Sequence, residues 1–472
     1  RIQLIESAEI GTVGVGEATI PPILDFLRFL GIDLNDFVEQ TQGTYKLGIA
    51  FRDWLRPDHQ YWHPFGVFGA QINRLPFYHY WHKARALGLD VAVHHFSRET
   101  ALAEANRFIL PKNAPGIAQD LRYALHFDAS LVARYLRRYA EQSGVVRLER
   151  KVTGATLRAN GFIDELVFED GSRLSADLYI DCSGFRGLLI EEALHTGYQA
   201  WTRYLPCDRA VAMPTALNGP RPPYTLSTAR AAGWQWRIPL QHRVGNGYVY
   251  SSAHLSDEEA LRDLRHVVDQ EPFAEPRFLR FVTGRRRRFW NGNCVALGLA
   301  SGFLEPLEST SIHLVASGLY ALLDHFPDAT FDPANIAHYN AQIIEEFERV
   351  RDFVILHYHG SRRTDSELWQ HCASMSIPDT LAERIDLYRH TGRLFPQRYE
   401  LFSDLSWFFV LDGLDIRPRD YNPLVDTADF EQVKRFMNDT RSKIAADVGQ
   451  APAHDSFFPA QALSGAGRRV AR

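Results

Sequence analysis

The chain has 472 residues and a formal charge of -5, from 52 Lys and Arg against 57 Asp and Glu. Hydrophobic residues make up 45%, charged residues 23%, and mean hydropathy is -0.25, which excludes a disordered chain and a membrane-embedded one and leaves an enzyme-sized globular protein. Slight acidity excludes a whole-protein field that would recruit nucleic acid or an anionic membrane, and no run approaches the roughly 18 to 20 apolar residues of a bilayer span.

Residues 1–7, RIQLIES, read as a short strand ending in an acid. In a dinucleotide-binding unit the second strand ends in an Asp or Glu for the adenosine ribose and follows a first strand and a G-x-G-x-x-G loop. Glu6 fits the acidic position, with an ordinary edge strand as an equal alternative. Gly14-Val15-Gly16 comes after it and runs into Glu17-Ala18-Thr19, so the first strand and its phosphate loop are expected to precede Arg1. Residues 127–141 place Leu131, Val132, Tyr135, Leu136 and Tyr139 at helical spacing, residues 145–157 look like strands, and 178–180 is an apolar strand running into Asp181-Cys182-Ser183-Gly184. Such alternation predicts an α/β core of flavoprotein type. Residues 220–223 mark a surface loop, and Arg285 to Arg288 read as a solvated, carboxylate-paired turn rather than a phosphate track. Beyond about Ser361 the pattern turns helical, around Trp369, 381–387 and 407–411, and the last twenty or so residues, rich in Ala, Pro and Gly, read as a loose tail. Cys182, Cys207, Cys294 and Cys372 are widely spaced with no C-x-x-C pair, so neither a zinc knuckle nor a disulfide framework is expected. No metal site is expected, and a reducing cytoplasm fits.

Four segments carry the chemistry: residues 14–21 (GVGEATIP), 43–46 (GTYK), 234–239 (WQWRIP) and 303–311 (FLEPLESTS), the last preceded by Gly298-Leu299-Ala300. Taken singly, each has an ordinary explanation. Gly14 and Gly16 can turn a loop, Lys46 can be a solvated helix residue, Trp234 and Trp236 share one strand face as a core or rim pair, and Glu308 can be a carboxylate at a helix start. Taken in order, they resemble the flavin-dependent tryptophan halogenase family, over nearly the whole chain.

The resemblance implies an α/β FAD-binding core of the glutathione-reductase and aromatic-hydroxylase kind with a mainly helical C-terminal substrate portion. Residues 1–360 would carry flavin, halide and tunnel, 361–450 the substrate site, and 451–472 a flexible tail. It further implies that Lys46 and Glu308 are catalytic. Glu6, Gly14, Val15, Gly16, Glu17, Ala18, Thr19, Asp128, Gly298, Leu299 and Ser309 would bind the cofactor. Thr310 and Ser311 would hold chloride or bromide through backbone amides, Trp234 and Trp236 would separate flavin from tunnel, and His63, Pro64, Phe65, Trp407 and Phe408 would line the aromatic substrate site. For His63, Phe65, Trp407 and Phe408 a plain core role is the alternative. Reduced FAD, oxygen and halide would yield hypohalous acid, which Lys46 polarises or captures while Glu308 accepts the proton lost by the ring. A separate NAD(P)H-dependent flavin reductase is implied as partner, and a homodimer is allowed for.

Two departures matter. Ser311 stands where the family's halide loop usually has glycine, which would reshape the nest and favour bromide. The tyrosine pair and carboxylate that grip free tryptophan are not recognisable, since the region reads Ser406-Trp407-Phe408-Phe409 with Asp412 and Asp415 beyond. An indole-like or other electron-rich ring is therefore expected in place of free tryptophan. A flavin-dependent aromatic hydroxylase would share the flavin segments but need neither Lys46 nor Glu308, and a non-catalytic flavin binder would form no product.

Overall fold

The computed structural model describes residues 1–7, 16–69, 71–89, 91–111, 120–268, 270 and 272–459; Gly14 and Val15 of the expected flavin strap lie outside them. The largest sheet has seven strands in the order Arg277–Arg280, Arg209–Thr215, Val244–Tyr250, Gly233–Pro239, Thr225–Arg230, Gly48–Arg52 and Gln60–Pro64. All neighbours are antiparallel except Thr225–Arg230 beside Gly48–Arg52. The W-x-W strand lies at the centre, with Trp234, Trp236 and Ile238 on one face and Gln235 and Arg237 on the other; six of its seven residues are buried. Opposite Trp236 stands Gly247, whose missing Cβ would fall 2.0 Å from the indole. Only glycine leaves that space.

A three-stranded antiparallel sheet brings together Gly16–Ala18, Ala124–Asp128 and Thr44–Lys46. It lies close to the large sheet: a Cβ on Gly245 would meet the Gly16 backbone at 3.2 Å. Parallel pairing, the mark of a dinucleotide-binding core, is present between Gln3–Glu6 and Val146–Glu149 and between Tyr179–Asp181 and Cys294–Ala296. The amphipathic segment predicted over 127–141 is the helix Ala129–Gln142. It starts two residues later because Asp128 ends a strand and caps the helix, accepting from the amides of Ser130 and Leu131. Helices predominate beyond Ser361, as Glu367–Ser374, Asp379–Thr391, Asp404–Gly413 and Phe430–Gln450. No described helix is long and apolar enough to cross a membrane.

The helix Pro333–His359 was not anticipated. Asp332 caps it, Pro333 opens it, and its residues 350–358 are buried on every side. An all-round apolar stretch at helical spacing carries no amphipathic period, so its sequence does not announce that it runs through the core.

Two expectations need correction. Arg285 and Arg286 are paired with Glu348 at 2.7 Å and Glu191 at 2.6 Å, but both are buried in the strand Gly284–Arg286, so only Arg287 and Arg288 form the solvated part of the run. The tail does not come loose at 451. Ala451, His454 and Phe458 are buried, His454 Nδ1 sits 2.7 Å from the Arg221 carbonyl, and its Nε2 accepts from the Tyr45 amide at 3.3 Å. These nine residues close the back of the strand that carries Lys46.

Candidate functional site

Alternation along Thr44–Lys46 sends Tyr45 into an aromatic cluster with Phe108 and Phe458 and Lys46 to the opposite side. Lys46 is fully buried. Its ammonium donates to the Thr19 carbonyl and to the Ser309 hydroxyl, each at 2.9 Å, and lies 5.0 Å from the centre of the Phe65 ring. Burial pulls its pKa down to about 7, against the opposing charge of Glu308. Near neutrality a large fraction of this amine is therefore uncharged and nucleophilic.

Unfolded, the same lysine titrates near 10.5, so between about 7 and 10.5 the unfolded chain binds the extra proton and stability rises with pH. Lys46→Met removes that penalty. The variant is expected to be more stable than wild type, by a margin that is largest at pH 7 and below and narrows toward pH 10; denaturant titrations at pH 6, 8 and 10 measure it. A margin that does not change with pH would contradict a depressed lysine.

Glu308 ends the single turn Pro306–Glu308. Ser309 then takes a left-handed conformation (φ 58°) before the helix Ser311–Asp324 begins. That sharp turn distributes four successive side chains to different tasks. Glu308, itself fully buried, has Oε2 2.7 Å from His63 Nδ1 and Oε1 2.8 Å from His357 Nε2. Burial alone would push the carboxyl up, but the two imidazoles outweigh it and hold the pKa down at about 2. Ser309 turns its hydroxyl to Lys46. The buried Thr310 hydroxyl has no partner among the described residues, and Ser311 lines a cavity of about 150 Å3 with Gly298, Leu299, Gly302, Val315 and Phe347.

The first amides of a helix lack intrahelical acceptors and sit at the positive end of its dipole. An unpartnered buried hydroxyl, those amides and an apolar cavity fit a small anion beside a flat, mostly apolar cofactor ring. A second hollow of about 80 Å3 lies between the strap and the large sheet, lined by Gly16, Met213, Pro214, Arg243, Gly245 and Asn246 among others. Thr19 joins the two sides, since its hydroxyl bonds the Leu125 backbone while its carbonyl receives Lys46. Glu17 and Ala18, in the strand Gly16–Ala18, precede it.

Other expected residues are tied to structure. The Glu6 carboxylate is paired with Arg137 at 2.8 Å and with Arg147. Asp128 pairs with Arg243 at 2.7 Å in addition to its capping bonds. Pro64 ends the strand that delivers His63, opposite Gly48. The His63 ring lies 5.4 Å from Phe353 and 5.8 Å from Phe402, which stack on each other at 3.9 Å. Trp407 stands behind them, edge-on to Phe353, with its indole N–H on Glu400 and the Arg384 guanidinium 4.0 Å over its ring. Phe408 is buried between Phe68, Tyr78, Trp81 and His82.

Trp234 and Trp236 do share a face, 6.1 Å apart. The Trp234 N–H donates at 2.9 Å to a carboxylate that sequence reasoning missed, Glu305, which also accepts from Tyr358 at 2.5 Å. Burial pushes Glu305 up to about 7. Consecutive residues of the long helix, His357 and Tyr358, thus hold the two glutamates of the FLEPLE segment. The three-residue spacing of those glutamates was the available signal, and the helix that reads it was not.

Comparison with known proteins gives the family. The tryptophan halogenase family profile matches residues 1–430. Tryptophan 7-halogenase RebH of Lentzea aerocolonigenes is 38% identical over 455 residues, spanning 88% of this chain and 85% of its own. Among solved structures, Xcc4156, a flavin-dependent halogenase from Xanthomonas campestris, superposes with a TM-score of 0.93 at 45% identity, over 97% of this chain and 92% of its own. BrvH, a flavin-dependent halogenase from Brevundimonas sp. BAL3, gives 0.92 at 43% identity over the same shares. With the family profile covering residues 1–430 and these structures superposing over nearly the whole chain, the chain belongs to the tryptophan halogenase family and is a flavin-dependent halogenase.

Proposed function

We propose that this enzyme halogenates an uncharged, indole-like ring, with Lys46 delivering the halogen and Glu308 taking the ring proton. The observation that carries the reading is the pairing of an amine depressed to about 7 with an ionised carboxylate, both fully buried and linked through Ser309. FAD would be held along the cavity lined by Gly298 and Leu299 and the separate hollow lined by Gly16, and when bound in reduced form with oxygen and halide it supplies hypohalous acid. Its electrons come from a separate NAD(P)H-dependent flavin reductase. Thr310 and Ser311 hold the halide through their amides, Trp236 stands between cofactor and tunnel, and Lys46 captures the hypohalous acid. Phe65, Phe353 and Phe402 set the ring by contact, so ring position follows from proximity rather than intrinsic reactivity.

Among the described residues, charged groups beside the aromatic walls are already engaged, which favours a ring without an amino-acid head. Arg384 and Glu400 are bonded to each other and to Trp407. A zwitterion brought here would have to be desolvated without a partner, which costs several kcal/mol. In competition at equal concentrations, indole is expected to be consumed well before free tryptophan, read by mass spectrometry of the products; a preference for tryptophan would overturn the assignment. Ser311 adds a Cβ at the cavity edge, and at equal bromide and chloride an excess of brominated product is expected. A clear excess of chlorinated product would show that Ser311 does not set halide choice in this way.

A further inference from the structure

Glu308 has a partner no motif announces. His357, at the buried end of the helix Pro333–His359, reaches Glu308 Oε1 with Nε2 at 2.8 Å and Tyr61 Oη with Nδ1 at 2.7 Å. The imidazole is fully buried, stacked on Phe51 at 4.5 Å and edge-on to Trp54 and Phe353, so the ring has no room to turn. From these contacts we propose that Tyr61 and His357 are positioning residues that hold Glu308 as the ionised base of the halogenation site.

The hydrogen-bond inventory selects one tautomer. A phenol donates readily to an imidazole nitrogen, while a carboxylate can only accept. With Tyr61 O–H donating to Nδ1, the ring proton resides on Nε2, the nitrogen paired with Glu308 Oε1 at 2.8 Å. The opposite tautomer would set a nitrogen lone pair against the carboxylate, at a large cost in a buried site. His63 hydrogen-bonds the other oxygen at 2.7 Å, so each oxygen of Glu308 has one imidazole as its neighbour. The charged and titratable groups facing this pair are His63 and Tyr61 from the strand Gln60–Pro64, Lys46 from the strand Thr44–Lys46, and His357 from the helix.

Proton balance requires no further acceptor. Lys46 takes the halogen from hypohalous acid, breaking the oxygen–halogen bond and releasing hydroxide; the ring attacks that halogen, forming the carbon–halogen bond and returning the amine; the ring C–H bond then breaks, its electron pair restores aromaticity, and the proton passes through Glu308 to the hydroxide, giving water. Glu308 returns to its ionised form, and His357 keeps its tautomer throughout. The inference rests on Glu308 acting as the base, and the test separates the two ideas.

The expected result is a change in pH profile. Using the full chain with FAD, flavin reductase, bromide and indole, His357→Phe is expected to lower brominated product per flavin oxidised roughly 10- to 100-fold, the worth of a hydrogen bond to a charged group. Its acidic limb should move to higher pH. Tyr61→Phe, which keeps the ring stacked on Phe51 at 4.9 Å, should shift the limb in the same direction by less, and His357→Gln, which restores an N–H donor, should bring it back. In the resting protein, 15N NMR of the His357 ring, assigned by difference from the Gln variant, should show the proton on Nε2. A proton on Nδ1, or variants that lose activity equally at every pH, would overturn the proposal. Full activity of Glu308→Gln with Nε2 protonated would instead remove the role of Glu308 as base while leaving the tautomer assignment standing.

Discussion

Lys46→Ala is expected to abolish halogenated product, a loss of roughly 1,000-fold or more, while reduced flavin continues to be oxidised at the wild-type rate. The size follows from what the amine does: it converts a diffusing oxidant into one held beside a single ring carbon, and proximity of that kind is worth about 7 to 11 kcal/mol at its ideal. Alanine also strands the Thr19 carbonyl and the Ser309 hydroxyl, both within 2.9 Å of the ammonium now, but neither of these touches the flavin-facing cavity. Uncoupling, rather than arrest, is the signature. Because burial holds Lys46 near 7, product per flavin oxidised in the wild type should rise between pH 6 and pH 8 if the neutral amine is the capturing form. Lys46→Arg keeps a positive charge but remains protonated at every working pH, and it should be as inactive as alanine. Product formed by Lys46→Arg at near wild-type yield would show that charge, not a neutral amine, does the work.

Glu308→Gln is expected to lower product formation roughly 100-fold, within the range of a general base, again with flavin oxidation intact. The amide matches the shape of the carboxylate but cannot take a ring proton, and it presents an NH2 group to one of two imidazoles that now face oxygens at 2.7 and 2.8 Å. Stability changes too, with a definite sign. The folded carboxyl titrates at about 2 against an ordinary 4.5, so its stabilising effect is complete above about 4.5 and is lost as pH falls toward 2. Wild type should therefore exceed Glu308→Gln in denaturant midpoint at pH 7, and the difference should shrink between pH 4.5 and pH 2. Equal midpoints at pH 7 would mean that the imidazoles do not stabilise the charged form.

How much of this was legible from the sequence depends on the distance between partners. Local signals read well: the helix expected over 127–141, the shared W-x-W strand face, and the strand expected at 178–180, found at Tyr179–Asp181, all depend on neighbours a few residues away. Lys46 was identified only through the order of motifs around it. Nothing local marks a buried amine, since its depressed pKa arises from burial, and the groups that enclose it, Thr19, Ser309 and Phe65, come from three other segments. Glu305 was passed over because its partners, Trp234 and Tyr358, are 71 and 53 residues away. His357 meets Tyr61 across 296 residues, on a helix whose buried end has no amphipathic period to reveal it. The docked tail is the extreme case, with His454 reaching Tyr45 across 409 residues; an Ala- and Pro-rich composition describes how freely such a segment moves alone, not what it packs against.

Glu6 and Asp128 show the converse. Their positions fit a flavoprotein, yet their carboxylates are engaged by Arg137 and Arg147, and by Arg243. An arginine pair of this kind keeps a carboxylate ionised and oriented, so it is compatible with hydrogen bonds to a ribose but does not by itself indicate one.

The central claim is that this site transfers halogen rather than oxygen to an aromatic ring, and halide dependence tests it most directly. Purified protein is supplied with FAD, a flavin reductase, NADH, oxygen and indole, in buffer with bromide and in buffer freed of halide, and products are read by mass. Brominated indole in the first reaction and unmodified indole in the second is the expected result. Hydroxylated indole formed at the same rate in both would contradict it.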